Sequence, residues 1–370
     1  MKILLLPNAL KGSLSAKQFI RIAIRTLTNH TVRAFPISDG GDGFADFFRT
    51  CYPKAKPVFL QAKNAFLQNK KTSFLYLPAT KTAVIETARI CGLGNTPKNK
   101  LDPLGASSYG VGQAIKKAIQ LGAKQIYVGL GGVACSDGGA GMAVACNAVL
   151  TDREGRPVPP GAAPLLEAFR LDLIPVKKLL KGVKIYAVSD VDNPVLGRKS
   201  SAKVFGAQKG ASPAQIKQLD RALSIWVHLL EKETGLLIAR EPGTAAAGAI
   251  AAGLYGAFGA EIHLGAEVLF QKARLEKQIK WADLIITSEG KLDRQTFYGK
   301  APLAVLKKAR EQRKKVLFIC GQLETSALKK QPLPRLQLAV LTDFALSADD
   351  AQKHAATYVA RLLKMLNNCQ

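Results

Sequence analysis

Histidine is scarce: the 370 residues hold four, His30, His228, His263 and His354, far apart along the chain. A Ser-His-Asp triad or a histidine-rich metal site is hard to build from them, which leaves acid–base work to Asp, Glu or Lys. The six cysteines, Cys51, Cys91, Cys135, Cys146, Cys320 and Cys369, form no Cys-x-x-Cys pair and do not cluster with histidine. This spacing argues against a structural zinc site and against a disulfide framework. Cys135 lies in a glycine-rich loop, but with no histidine near it in sequence it reads as a small filler and not as a nucleophile. The longest apolar run, residues 245–260, is rich in Ala and Gly and too short to span a bilayer. Residues 1–7 are too short and too soon broken by Pro7 for a signal peptide, so the cytoplasm is the expected compartment and no membrane partner is expected. No Gly-x-x-x-x-Gly-Lys-Ser/Thr loop and no protein-kinase catalytic loop occurs, which removes two common nucleotide-binding solutions.

Acidic residues are few as well, 27 against 53 Lys and Arg, for a net charge of +26. The basic residues are spread from end to end. The densest cluster, Lys307-Lys308-Ala309-Arg310 with Arg313-Lys314-Lys315, has no interleaved aromatics, and no nucleic-acid motif is found. The charge is read as weak steering of small anions, with no specific nucleic-acid partner. A hydrophobic share of 48% and a charged share of 22% fit a globular protein, and the length suggests two domains.

Against these absences stands a pattern that occurs twice. Ser38-Asp39-Gly40-Gly41-Asp42-Gly43 follows the strand-like residues 32–37, and Ser136-Asp137-Gly138-Gly139-Ala140-Gly141 follows residues 126–132. Each puts a carboxylate at a strand end, then three glycines within four residues, then an apolar helical segment. Glycine allows tight turns and close approach of backbone N–H groups, and a helix start adds a positive dipole end. That combination suits a phosphate, with aspartate available for a metal or a hydroxyl.

Residues 2–6 read as a buried strand, and Ser15 as the cap of a helix with apolar positions at Ala16, Phe19, Ile20, Ala23, Ile24 and Leu27. With the strand at 32–37 this opens a parallel, doubly wound sheet. The C-terminal part has the same grammar: strands at 284–287, 316–319 and 336–341, helices at 302–313 and 351–366. The middle differs, with a hairpin at 74–77 and 83–85, a helix at 112–119, and strands at 125–128 and 184–188. The expected architecture is α/β, with one domain built from both chain ends, 1–46 and 281–370, and a second α/β domain, 47–280, inserted between them. The small-residue stretch 243–259 suits a tightly packed helix or close backbone approach to a ligand.

Other polar clusters end strands. Asp190 and Asp192 follow the strand at 184–188, and a spacing of two on an extended segment puts both on one face, where Mg²⁺ fits; an Asx turn before Pro194 is the competing reading. Ser288-Glu289-Gly290-Lys291-Leu292-Asp293 and then Gly299-Lys300 follow the strand at 284–287. Lys11-Gly12-Ser13 and Gln208-Lys209-Gly210 set further lysines beside glycine turns.

Taken together, and nearly end to end, these segments resemble the class I glycerate kinase family: Pro7-Asn8-Ala9-Leu10-Lys11-Gly12-Ser13-Leu14-Ser15, the two glycine loops with Gly129-Leu130-Gly131-Gly132, Asp190-Val191-Asp192-Asn193-Pro194, Gln208-Lys209-Gly210-Ala211, and Glu289-Gly290-Lys291-Leu292-Asp293 on to Gly299-Lys300-Ala301-Pro302. The resemblance implies phosphorylation of D-glycerate, with ATP and Mg²⁺ as cofactors, most often to 2-phosphoglycerate, by a flavodoxin-like domain from both chain ends with a mixed α/β domain inserted. It implies Asp42, Asp293, Lys11 and Lys300 as catalytic residues. Lys11, Ser13, Asp39, Asp42, Lys209 and Lys300 are expected to bind substrate. Gly131, Gly132, Ser136, Asp137, Gly138, Gly139 and Glu289 are expected at the nucleotide, and Asp190 and Asp192 at the metal. A homodimer is left open, as are the 3-phosphorylated product, another small hydroxy acid as substrate, and a basic nucleic-acid-binding protein. Asn8 stands where the family usually has aspartate, and Ser288 and Arg294 where small glycines are common.

Overall fold

The computed structural model describes residues 1–10, 12–38, 40–94, 96–292, 301–324 and 335–367. Its strands are β1 (Lys2–Pro7), β2 (Thr31–Ala34), β3 (Lys56–Lys63), β4 (Asn69–Leu77), β5 (Thr82–Glu86), β6 (Gln125–Gly129), β7 (Val149–Thr151), β8 (Arg170–Asp172), β9 (Lys184–Val188), β10 (Glu261–His263), β11 (Leu284–Leu292), β12 (Lys315–Leu323) and β13 (Leu336–Val340). They fall into two compact units, residues 1–39, 46–53 and 265–370, and residues 40–45 and 54–264. Against the expected limits at 46 and 281, residues 47–53 and 265–280 group with the first unit and 40–45 with the second.

The first unit is built on β1, buried from Ile3 to Pro7. An unbroken apolar run of this kind belongs in the middle of a parallel sheet covered on both faces. It pairs in parallel with β2 on one side and β11 on the other, and the sheet runs β13-β12-β11-β1-β2. Numbered within the unit, this is the flavodoxin-like order, whose ligand crevice lies at the carboxyl ends of the strands where the order reverses, here between β1 and β11. Ser15 caps the helix Ala16–Thr26 as its sequence predicts: its hydroxyl accepts from the Gln18 N–H, and the Gln18 side chain returns to the Ser15 N–H. Phe19 and Ala23 on its inner face join Ile3, Leu5, Val359 and Leu363 in one core. The closing helix expected at 351–366 is two helices, Ala348–Lys353 and Ala355–Asn367, divided at His354. The strand expected at 32–37 is regular over Thr31–Ala34, and its pairing with β1 runs on: the Phe35 and Ile37 N–H groups donate to the Leu5 and Pro7 carbonyls, each at 2.9 Å.

The second unit has a mixed sheet in the order β10-β9-β6-β5-β4-β3. The four strands from β10 to β5 are parallel, and β4 and β3 turn back antiparallel. The expected hairpin is β4 with β5, both longer than their most apolar residues suggest. The helix Pro213–Thr234, capped by Ser212 and Gln215 and ended by Gly235 in the left-handed region, packs against β8 and the helix Ala246–Phe258. Its Trp226 is fully buried in the core. The stretch at 243–259 forms the helix Ala246–Phe258, whose opening turn has the opposite hand: Ala247, Gly248 and Ala249 have φ of 53°, 65° and 63°. Left-handed backbone costs a non-glycine residue roughly 1–2 kcal/mol, so the two alanines are held there by their surroundings. No helix among the described residues is long and apolar enough to cross a membrane.

Phe19 is fully buried in the core of the first unit, so Phe19→Ala is expected to lower stability by about 3–5 kcal/mol. The check is a shift in chemical denaturation followed by far-UV circular dichroism.

Candidate active site

At the carboxyl ends of β5, β6 and β9 the second unit brings three connecting segments into contact. The first glycine loop, Gly40–Gly43, lies against the segment Leu130–Gly132 after β6: a β-carbon on Gly131 would fall 2.8 Å from the Gly41 Cα. Gly40, with φ of 89°, packs on the Val188 carbonyl at the end of β9, where a β-carbon would collide. Only glycine permits both approaches. The loop is anchored by Glu86, the last residue of β5. Its carboxylate accepts from the Ala45 N–H at 2.9 Å and the Gly43 N–H at 3.4 Å, and pairs with Arg89 at 3.3 Å. Burial raises the Glu86 pKa, and Arg89 and the two N–H bonds pull it back. Asp42 projects from the loop, exposed, beside Gly132.

After β9 the chain makes a serine turn, the Val191 N–H donating to Ser189 Oγ at 3.1 Å. The strand ends at Val188, so the alternation that would set Asp190 and Asp192 on one face stops before them. Asp190 is half-buried and Asp192 exposed. The turn is braced by Gly243–Ala245: the Gly243 and Ala245 N–H groups donate to the carbonyls of Asp192 and Asn193, and the Val195 N–H donates to Thr244 Oγ1. Among the described residues no three side chains of the ligating types gather as a metal cluster. Two carboxylates on one short turn match Mg²⁺, which takes one or two protein carboxylates and completes its shell with water and substrate phosphate.

The second glycine loop differs from the first. Asp137 is fully buried, and its Oδ2 accepts from Ser107 Oγ at 3.0 Å, the Ser108 N–H at 2.8 Å, Ser108 Oγ at 3.0 Å and the Gly141 N–H at 3.2 Å. Its Oδ1 accepts from the Gly139 N–H at 3.4 Å. The Gly138 N–H donates to the Gly248 carbonyl at 3.1 Å, and the Gly138 carbonyl accepts from the Trp226 indole at 2.8 Å. The N–H groups of Gly138, Gly139 and Gly141, read from sequence as a phosphate cradle, are thus engaged inside the protein. Ser136 is 3% exposed, and the glycines are buried with it. Lys209 lies beneath, 3% exposed, donating to the Cys135 carbonyl and to Ser136 Oγ. Desolvation lowers its pKa. A buried ammonium in this position fixes the loop from the inside and is covered from solvent. Cys135 is fully buried with its Sγ 3.9 Å from Cys91 Sγ. That contact and burial push its thiol well above the ordinary value, as befits a filler.

In the first unit, Asn8 follows β1: its side chain accepts from the Ala9 N–H at 2.8 Å, and its carbonyl accepts from Ser288 Oγ at 2.9 Å. Ser13 donates to the Gln352 carbonyl at 2.7 Å. Glu289 lies in β11, 7% exposed. Lys11, Asp39, Asp293 and Lys300, with Arg294, lie outside the described residues. Sequence reasoning passed over Glu86, whose only signal is a lone carboxylate closing a wholly buried strand, and over Ser107, Ser108 and Trp226, which reach the second loop from distant segments.

The glycerate kinase family matches residues 3–369. The chain belongs to this family. A glycerate kinase from Halalkalibacterium halodurans is 36% identical over 325 residues, 87% of this chain and 85% of that one. Escherichia coli glycerate 2-kinase is 34% identical over 332 residues, 87% of this chain and 86% of its own. A crystal structure described as a candidate glycerate kinase 2 from Salmonella typhimurium LT2 has a TM-score of 0.82 at 30% identity, covering 100% of this chain and 98% of that one. The glycine loops and the Asp190–Asp192 turn are therefore features of a glycerate kinase family member.

Asp137→Ala would leave the Ser107, Ser108 and Gly141 donors without their buried acceptor. The expected loss is at least about 3 kcal/mol of stability, read as a lowered urea midpoint. Glu86→Ala frees only the first loop and should move the midpoint less.

Proposed function

We propose that the chain transfers the γ-phosphoryl group of ATP to the 2-hydroxyl of D-glycerate, giving 2-phosphoglycerate and ADP, in the cytoplasm. Membership of the glycerate kinase family along residues 3–369 supports the reaction class. The observation that carries the site is the meeting of Gly40–Asp42, Gly131–Gly132 and the turn bearing Asp190 at strand ends of one sheet. Phosphoryl transfer asks a protein mainly for positioning and charge neutralisation, and these segments supply backbone N–H groups and carboxylates in one place.

The roles follow from residue chemistry and the family resemblance, joined for the described residues by exposure. Gly131 and Gly132, at the open end of β6, approach the phosphates, with Glu289 a further nucleotide contact. Asp190 and Asp192 would hold Mg²⁺, which would neutralise phosphate charge. Lys11 and Lys300 meet the glycerate carboxylate, with Asp39 as a further substrate contact; Ser13, whose hydroxyl donates to the Gln352 carbonyl, holds its own loop in place. Asp42 or Asp293 takes the proton of the attacking hydroxyl. That oxygen bonds to the γ-phosphorus as the bond from phosphorus to the bridging oxygen breaks, and ADP leaves with the electron pair. Lys209, Asp137 and the second glycine loop hold the neighbouring backbone in place. The net charge of +26 favours approach of two anionic substrates.

The test is ADP release from ATP and Mg²⁺ with and without D-glycerate, with the product identified by phosphorus NMR. Release dependent on D-glycerate, with a 2-phosphoglycerate signal, is expected; release indifferent to D-glycerate sinks the proposal. Asp190→Asn is expected to lower turnover roughly 10–100-fold and raise the Mg²⁺ requirement. Unchanged turnover and Mg²⁺ dependence would remove the metal role.

A further inference from the structure

The first unit contains a cavity of about 280 Å³ at the carboxyl ends of β11 and β12, bounded by Gly290 and Lys291 of the one and Gly321 and Gln322 of the other. Sequence reading did not anticipate it. Leu10 and Ser13 close one side, and Gly12 and Ser13 are latched across: Ser13 Oγ donates to the Gln352 carbonyl at 2.7 Å, and the Gln352 amide donates to the Gly12 carbonyl at 2.9 Å. The apolar walls are Leu10 and Leu341, 3% and 1% exposed, and a face of small side chains, Ala348, Ala351 and Ala355. Ala348 and Ala351, three apart on the helix Ala348–Lys353, and Ala355 at the start of the next helix all line the slot and leave it free of bulk.

The slot lies outside the carboxyl ends of β11 and β12, one strand from the reversal point between β1 and β11, at the end of an open parallel sheet where ligands bind. Its volume lies near the lower end of small-molecule sites, roughly 300 Å³. Its chemistry is selective. Glycerate is a small anion with a polar group on every carbon, and leucine and alanine walls offer it little. A nucleobase is flat and uncharged, with hydrogen-bonding groups on its edge, and suits apolar walls with Gln322 and Lys291 at the rim. We propose that this cavity is the base subsite for the nucleoside triphosphate donor. The inference rests on the reading of the chain as an ATP-dependent kinase and adds where the base is held.

The test uses Ala348→Trp. Ala348 is exposed at the rim, and the indole fills the slot without entering the core. The expected result is at least a tenfold rise in KM for ATP with less than a twofold change in KM for D-glycerate. Gln322→Ala, also at an exposed position, is the second variant, with an expected threefold or greater rise in KM for ATP. Saturation-transfer NMR supplies a readout independent of turnover: adenosine, which carries no phosphate, is expected to bind the unaltered protein, to be displaced by ATP, and to lose its signal with Ala348→Trp. An active Ala348→Trp enzyme with unchanged KM for ATP overturns the base subsite and leaves the kinase reading standing. A rise confined to KM for D-glycerate assigns the slot to the acid and also overturns it. If the unaltered protein shows no glycerate-dependent ADP release, the reaction falls, and the adenosine signal alone decides the subsite: its absence overturns it, and its presence with loss in the variant supports it.

Discussion

The Asp137 carboxylate is the interaction on which the architecture of the second unit most depends. It is one charged group with no solvent, collecting donors from Ser107, Ser108, Gly139 and Gly141. A buried carboxylate is costly unless it is hydrogen-bonded, and here Oδ2 takes four donors and Oδ1 one. The reward is geometric: the start of the helix Tyr109–Gln120, the loop after β6 and the start of the helix Ala140–Ala145 are fixed to one point. Lys209 adds a buried positive charge on the other side of the same loop, and Trp226 closes it with an indole bond. Gly131 and Gly132, which precede this clamp in the chain, are thereby held at the edge of the sheet and meet the Asp42 loop there.

The two glycine loops look alike in sequence and do different work. The first has its helix-start N–H groups taken by Glu86 and leaves Asp42 outside. The second turns its carboxylate inward and is covered. Sequence shows residue types and spacing in both cases, and both spacings are right for an anion site. What decides between them is burial, set by a tryptophan about ninety residues away. No local pattern carries that information.

Much of the fold was legible because its signals are local. The apolar run of β1, the capping box at Ser15 and the period of the helix after it appear as read, and so does the use of both chain ends in one sheet. The breaks in expectation also have local causes. At His354 the chain divides the closing helix, with the His354 ring bonded to Asp350 on the preceding turn. The strand expected at 32–37 stays bonded to β1 through Ile37, although its regular part ends at Ala34. The candidate site was half legible: Asp42, Asp190, Asp192, Gly131 and Gly132 stand at strand ends, where an open α/β sheet presents chemistry. Lys209 reads in sequence as a substrate-binding lysine beside a glycine turn, but its depth is a property of packing and has no sequence signature.

The left-handed opening of the helix Ala246–Phe258 bears on how the chain reaches this state. Although the Ala245 carbonyl is met by the Ala249 N–H of the same turn, the Gly248 carbonyl is met by the Gly138 N–H, more than a hundred residues earlier. The first turn therefore has no reason to exist until that loop is in position, while the right-handed remainder can form early. Loop closure between such distant segments is among the slower events in folding. The end of this helix nearest the second glycine loop is thus the part whose shape is learned last, from the loop it supports.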